Sequence, residues 1–250
     1  MGLNECANRR DNEVMLNPQS GRIPCLDGLR AISITLVLIL HLGIPYYVIP
    51  SGIFGYISLG HLGVMIFFTI SGYLITGLLL RELESDGRIN LIRFYFRRTL
   101  RIFPPYYFLV LVYIIAIQAI GWIQLAPREA VHMLTYTSNY YPERVWEASH
   151  FWSLAVEEQF YLLWPATLLL LGKRWGLWAA LLLILLCPLL RTGFFHLFPE
   201  MLSDIRYRTE MCADSIAVGC LLAGKHELLK LYPLARKLHI YSGFQLSEKV

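Results

Sequence analysis

Four groups of polar residues sit in stretches of this sequence that are otherwise apolar. An ionisable side chain inside a membrane span costs about 2.5–3.5 kcal/mol on insertion scales, so each group calls for a reason. Arg30 and His41 are eleven residues apart. At about 100° and 1.5 Å per residue they share one face of a helix, roughly 16 Å apart. Arg30 reads either as a charge anchoring the inner mouth of a span or as a ligand for an anion. His41 reads either as a satisfied interfacial histidine or as a general base, because its unperturbed pKa lies near operating pH.

In Phe67-Phe-Thr-Ile-Ser71-Gly72-Tyr73 a polar pair interrupts a helix-like run. It suits close helix packing through small residues, or a polar notch lining a cavity. His150, Ser153, Glu157 and Tyr161 recur at i, i+3, i+7 and i+11, which is one helical face. Glu157 shares that stripe and is expected roughly 9 Å below the outer surface, whereas Glu158 is expected to look outward and be solvated. Arg93, Arg97, Arg98 and Arg101 fall mostly on one face of an inner amphipathic helix. They suit anionic lipid or a phosphate-rich ligand, since the planar guanidinium binds phosphate bidentately.

The elements that must position these groups are membrane helices. The 250 residues are 56% hydrophobic and 16% charged, with mean hydropathy +0.50. Soluble domains run about 45–50% apolar and about 25% charged, so a soluble globular domain and a disordered chain are both excluded. The net charge of +4 is mild and does not point to nucleic acid. Five cysteines without a C-x-x-C pair give no disulfide framework and no metal site. There is no P-loop, no dinucleotide fingerprint, no zincin helix and no nucleophile elbow.

About six spans of the required length are expected, at 29–49, 59–80, 105–124, 151–171, 175–190 and 211–224. With the N-terminus inside, 17 of the 22 Lys and Arg fall on inner segments, which favours that orientation. The predicted fold is an all-α, multi-pass integral membrane bundle with a cytoplasmic N-terminus. Residues 1–28 form a cytoplasmic segment, 29–224 the transmembrane domain and 225–250 a polar cytoplasmic tail. The loop at 125–150 is polar and aromatic, suited to sugar stacking or to the headgroup layer.

Several strings, in order, resemble the membrane acyltransferase-3 family, whose members O-acetylate lipopolysaccharide O-antigen and other surface glycans. They are LDGLR at Leu26–Arg30 with His41 (the R-x10-H signature), FFTISGYLI, RRTLRIFPPYY, HFWSLAVEEQFYLLWP, and the late stretch around Arg208, Asp214 and Gly219. The resemblance covers residues 24–224. It implies transfer of an acyl group, usually acetyl from acetyl-CoA, to a hydroxyl of a carbohydrate or lipid-linked glycan. It implies no permanently bound cofactor, and a place in the cell membrane (the inner membrane in a bacterium). By position, His41 is the catalytic base and Glu157 the acidic residue of the third motif. Arg30, Arg97, Arg98 and Arg101 hold the donor, while Ser71, Tyr73, His150, Ser153, Tyr161, Arg208 and Asp214 line the substrate cavity. The family's membrane domain carries more spans than this chain offers, so a C-terminally truncated member is expected, and with it an inactive remnant as one alternative. A transporter of lipid-linked glycans is a rival, but no inverted repeat is evident. So is an intramembrane hydrolase using Ser71 or Ser153 with His41 or His150 and Glu157.

Overall fold

The structure is a computed structural model that describes residues 24–41, 59–121, 125–201 and 205–225. The expected N-terminal segment up to residue 23, the outer part of the first span at 42–49, residues 122–124 of the third and the tail from 226 lie outside the described residues. Every element described is helical. In chain order these are α1 (Pro24–His41), α2 (Leu59–Asp86), α3 (Leu91–Ile120), α4 (Pro127–Leu134), α5 (Phe151–Leu197) and α6 (Thr209–Ala223). Short 3-10 turns occur at Ser138–Tyr140, Trp146–Ala148 and Pro199–Met201. Among the described residues, three helical stretches are long and apolar enough to cross a membrane: Leu59–Asp86, Leu91–Ile115 and Trp146–Leu197.

Local sequence accounts for the ends and bends. α1 opens on Pro24, whose fixed φ suits a first helical position, and carries Asp27 in the first turn, where the helix dipole favours an anion. α5 turns back on itself at Gly172, with φ 73° and ψ 172°, a backbone region open only to glycine. Its two legs cover the segments 151–171 and 175–190. The third span was expected to start at residue 105, but α3 starts at Leu91 and runs through Pro104 and Pro105. The two prolines deprive the Leu100 and Arg101 carbonyls of their helical donors. The helix nevertheless continues, so the arginines and the apolar run share one rod.

The chain divides into two compact units, residues 1–67 and 68–250. In the first, α1 lies antiparallel to the opening turns of α2. A Cβ added to Gly63 would stand 2.6 Å from the Ser33 carbonyl oxygen, so Gly63 is what lets the two backbones approach. Ser33 is correspondingly buried and satisfies its hydroxyl on the Arg30 carbonyl at 2.8 Å.

In the second unit the contacts give the helix directions. Tyr95 meets Leu162 and Tyr106 meets Phe151, so α3 runs antiparallel to the first leg of α5. Ser71 meets Glu157, Thr76 meets Trp164 and Glu84 meets Lys173, so α2 runs parallel to that leg. Arg191 meets Asp214 while Gly224 faces Leu177, so α6 runs antiparallel to the second leg. The closest approach is between α2 and α6. A Cβ on Gly219 would be 2.0 Å from the Thr69 carbonyl oxygen, and one on Gly72 would be 2.0 Å from that of Ile216. Glycines at the crossing let the backbones touch, the usual device where lipid gives no hydrophobic drive between helices. At the loop end of the unit, Tyr106, Val110, Met133, Tyr136, Ala148, Phe151 and Ala155 form an apolar cluster under residues 125–150.

Candidate active site

In the first unit, α1 carries Arg30 and His41 on one uninterrupted helix. Arg30 is partly exposed and forms an ion pair with Asp27 at 3.6 Å. His41 places Nδ1 at 2.9 Å from the Val37 carbonyl oxygen. A carbonyl only accepts, so Nδ1 carries the proton, and in the neutral ring Nε2 is the basic nitrogen. The local i−4 hydrogen bond thus selects the tautomer a general base needs. The helical rise keeps the two side chains roughly 16 Å apart, so Arg30 does not orient His41.

In the second unit the polar residues collect on Glu157, a carboxylate only 7% exposed in an apolar bundle. Its Oε1 accepts hydrogen bonds from both the Ser71 hydroxyl of α2 and the Tyr161 hydroxyl one turn further along α5. A buried carboxylate is tolerable only with such donors. The Arg98 guanidinium of α3 stacks on the Tyr161 ring, 3.1 Å from its centroid, and pairs with Glu158 at 3.5 Å. One turn deeper, the Trp164 indole donates to Thr76 at 2.8 Å. Three helices are therefore tied by polar contacts across their interior.

This corrects one expectation and divides the arginine group. Glu158 is not solvated: its side chain is 15% exposed and paired with Arg98, because α3 lies along that side of α5. The four arginines also separate. Arg93, Arg97 and Arg101, at i, i+4 and i+8, form an exposed stripe, while Arg98, about 100° around the helix, turns inward. Of the other expected cavity residues, Tyr73 is half-buried on α2, with its amide beside Gly219. Ser153 donates to the His150 carbonyl at 3.1 Å, and the His150 ring lies against Phe151 and Tyr113. Asp214 is engaged by Arg191 at 2.6 Å, and Arg208 reaches Glu210 at 4.0 Å and the Tyr140 ring at 5.9 Å. The structure thus brings Ser71, Glu157, Tyr161 and Arg98 together, and places Arg208 and Asp214 in separate contacts.

Sequence reasoning missed the Gln159 clamp. Gln159 donates to the Tyr136 carbonyl at 2.7 Å and to Asn139 Oδ1 at 2.9 Å, and accepts from the Thr209 hydroxyl, fastening the loop to α5 and α6. Its signal was a third consecutive polar residue after Glu157 and Glu158. At the same end Glu129 is 2% exposed, with Oε1 accepting from the Val145 amide at 3.0 Å. Burial raises its pKa, and the Val145 amide and the Arg144 charge only partly offset this. Among the described residues no group of His, Cys, Asp and Glu is placed to hold a metal ion.

The family model for the acyltransferase domain of the acyltransferase-3 type matches residues 23–243. The chain belongs to the acyltransferase-3 family. It is 33% identical over 227 residues to the O-acetyltransferase OatA of Staphylococcus aureus strain NCTC 8325, an alignment covering 84% of this chain and 36% of that protein. It is also 33% identical over 171 residues to the peptidoglycan O-acetyltransferase OatA of Listeria monocytogenes, covering 60% of this chain and 25% of that one. The chain therefore spans about a third of the length of the first curated relatives it matches. No solved structure matches.

Proposed function

We propose that this chain is the membrane part of an O-acyltransferase moving an acyl group, acetyl in the first instance, from an acyl-CoA donor to a hydroxyl of a cell-envelope glycan. The observation that carries the reading is the buried Glu157 carboxylate, held by Ser71 and Tyr161 and bordered by the Arg98–Glu158 pair, in a chain of an acyltransferase family. A bundle selected only for stability would fill this volume with apolar side chains. The name of the Listeria monocytogenes relative favours a peptidoglycan-type acceptor over lipopolysaccharide.

In this reading His41 Nε2 takes the proton of the acceptor hydroxyl as that oxygen attacks the acyl carbonyl. Arg30, on the same face of α1, holds the anionic end of the donor. The separation of roughly 16 Å suits a donor whose phosphates and acyl group lie at opposite ends of an extended arm. Arg97 and Arg101, exposed at the start of α3, are cations suited to donor phosphates. Arg98 does not join them and instead neutralises Glu158. Glu157 is a positioning residue that fixes the Ser71 and Tyr161 hydroxyls.

The chain sits in the cell membrane with its N-terminus on the cytoplasmic side and about six spans. The distribution of Lys and Arg and the alternating directions of α2, α3, the two legs of α5 and α6 support this. Transfer of labelled acetyl from acetyl-CoA to glycan by the purified chain in proteoliposomes tests the function. Label in the glycan is expected, and its absence together with intact folding would overturn the reading.

A further inference from the structure

A cavity of about 330 Å³ opens in the second unit, between the end of the second leg of α5 and the start of α6. Phe194, Phe195, Ile205 and Met211 give it an apolar wall. Arg191, Thr192 and Arg206 give it a polar rim. None of these residues takes part in the Glu157 group. The volume is that of a site for a small ligand or a headgroup.

The two arginines differ in what they hold. Arg191 pairs with Asp214 at 2.6 Å and donates to the Met211 carbonyl at 2.6 Å, so its charge is matched and its guanidinium fixed. Arg206 is exposed, with its guanidinium 4.7 Å from the centre of the Tyr207 ring. That ring is held in turn by Arg144 at 4.5 Å and by the Trp152 ring at 4.9 Å. A cation–π contact positions a guanidinium and leaves its N–H fork free for a planar anion. Among the described residues the Arg206 side chain has no carboxylate partner, and no carboxylate lines the cavity. The rim therefore carries an unmatched positive charge beside an apolar wall.

The second leg of α5 indicates what carries the matching anion. Leu182, Leu185 and Leu189 are exposed and recur at i, i+3 and i+7, a stripe that faces lipid in a membrane helix. Three residues beyond Leu189, the same face reaches Thr192 on the cavity rim. A hydrocarbon chain laid along the stripe brings its headgroup to Arg206. A free anion has no use for the apolar wall, and a lipid without net charge gains nothing from the unmatched guanidinium. We propose that the cavity binds the phosphate headgroup of an anionic phospholipid, with Arg206 on the phosphate and an acyl chain along Phe195 and the leucine stripe. The proposal requires that the chain spans a membrane, not that it transfers an acyl group.

The test is native mass spectrometry of the full chain in detergent, offered equal amounts of phosphatidylglycerol and phosphatidylcholine. One phosphatidylglycerol should be retained over phosphatidylcholine by about tenfold, the worth of one charge-assisted hydrogen bond. Arg206→Gln should bring the two lipids to within about twofold of each other. Thr192→Glu should do the same by placing a carboxylate on the rim, at an exposed position where the fold tolerates it. Arg128→Gln removes the same charge from an exposed position on α4 and should leave the preference unchanged. Inorganic phosphate in about hundredfold excess should not displace the lipid, because it gains nothing from the apolar wall. A preference that survives in both rim variants overturns the proposal, as does one lost equally in Arg128→Gln. Equal retention of the two lipids by the wild-type chain also overturns it. Displacement by inorganic phosphate makes the cavity a site for a free anion and overturns the lipid.

Discussion

Replacing Gly219 by alanine should force α2 and α6 apart. The new Cβ would stand 2.0 Å from the Thr69 carbonyl oxygen and 2.6 Å from the Tyr73 amide nitrogen, whereas ordinary contact begins at 3.4 Å. Both obstacles are backbone, so no side chain can swing away and the helices must separate by about 1.4 Å. A gap of 0.5–1 Å already forfeits a quarter to a half of the dispersion attraction across an interface, and overpacking of this kind costs about 1–3 kcal/mol. The Thr69 hydroxyl, now 3.0 Å from the Ser215 carbonyl, would lose its bond, worth about 1 kcal/mol. Against this, alanine gains about 0.5–1 kcal/mol of helix propensity over glycine. The net expectation is a loss of about 1–3.5 kcal/mol. Gly72→Ala should behave alike, because its Cβ would meet the Ile216 carbonyl at the same 2.0 Å. Ser71 is the next residue, so displacement of α2 should also slow acyl transfer tenfold or more. Gly77 on the same helix is the control: a Cβ there meets nothing within 4 Å, and Gly77→Ala should be neutral or stabilising. Denaturant titration of the three variants in detergent reads the differences. Gly219→Ala as stable as Gly77→Ala would refute the close crossing.

Three further expectations follow from the polar contacts. Arg98→Ala strands the Glu158 carboxylate and should cost about 3–5 kcal/mol by the same titration, whereas Arg97→Ala and Arg101→Ala, on the exposed stripe, should shift stability by under about 0.5 kcal/mol. Glu157→Gln should cut the rate of acetyl transfer by at least about tenfold while membrane insertion persists, because an amide holds the Ser71 and Tyr161 hydroxyls less firmly than a carboxylate; unchanged transfer would remove Glu157 from the site. Glu129 has a folded pKa raised above the ordinary 4.5. The folded state therefore holds that proton more tightly than the unfolded state, and the stability this contributes is full below 4.5 and lost as pH rises through the raised value. Hydrogen exchange of residues 127–150 should accordingly speed up as the pH is raised above 4.5, beyond its intrinsic rise, and Glu129→Gln should abolish that excess.

Much of the helical organisation was legible from apolar run length and from punctuation. The two legs of α5 were separable because Gly172, Lys173 and Arg174 interrupt the run, and the structure bends at Gly172. The link of Glu157 to Tyr161 followed from the i, i+4 spacing, and Ser71 stood out as a polar group in an apolar helix. What failed was whatever depended on a neighbour. Glu158 looked solvated because its own helix gives it the lipid-facing side, and only the antiparallel placement of α3 supplies Arg98. Arg98 was grouped with Arg97 and Arg101 by the family resemblance, although a single-residue offset turns it about 100° into the bundle. Pro104-Pro105 suggested a boundary where packing carries the helix through. Arg191 and Arg206 gave no signal as a pair, because only the fold brings them to one cavity.

The central claim is acyl transfer with His41 as base, and the most direct measurement compares the wild-type chain with His41→Ala in proteoliposomes supplied with labelled acetyl-CoA and peptidoglycan-type acceptor. Wild-type protein should label the glycan, and His41→Ala should insert and fold yet transfer nothing above background. Equal labelling by the two proteins would contradict the assignment of the base, and a folded wild-type protein that labels nothing would contradict the function itself.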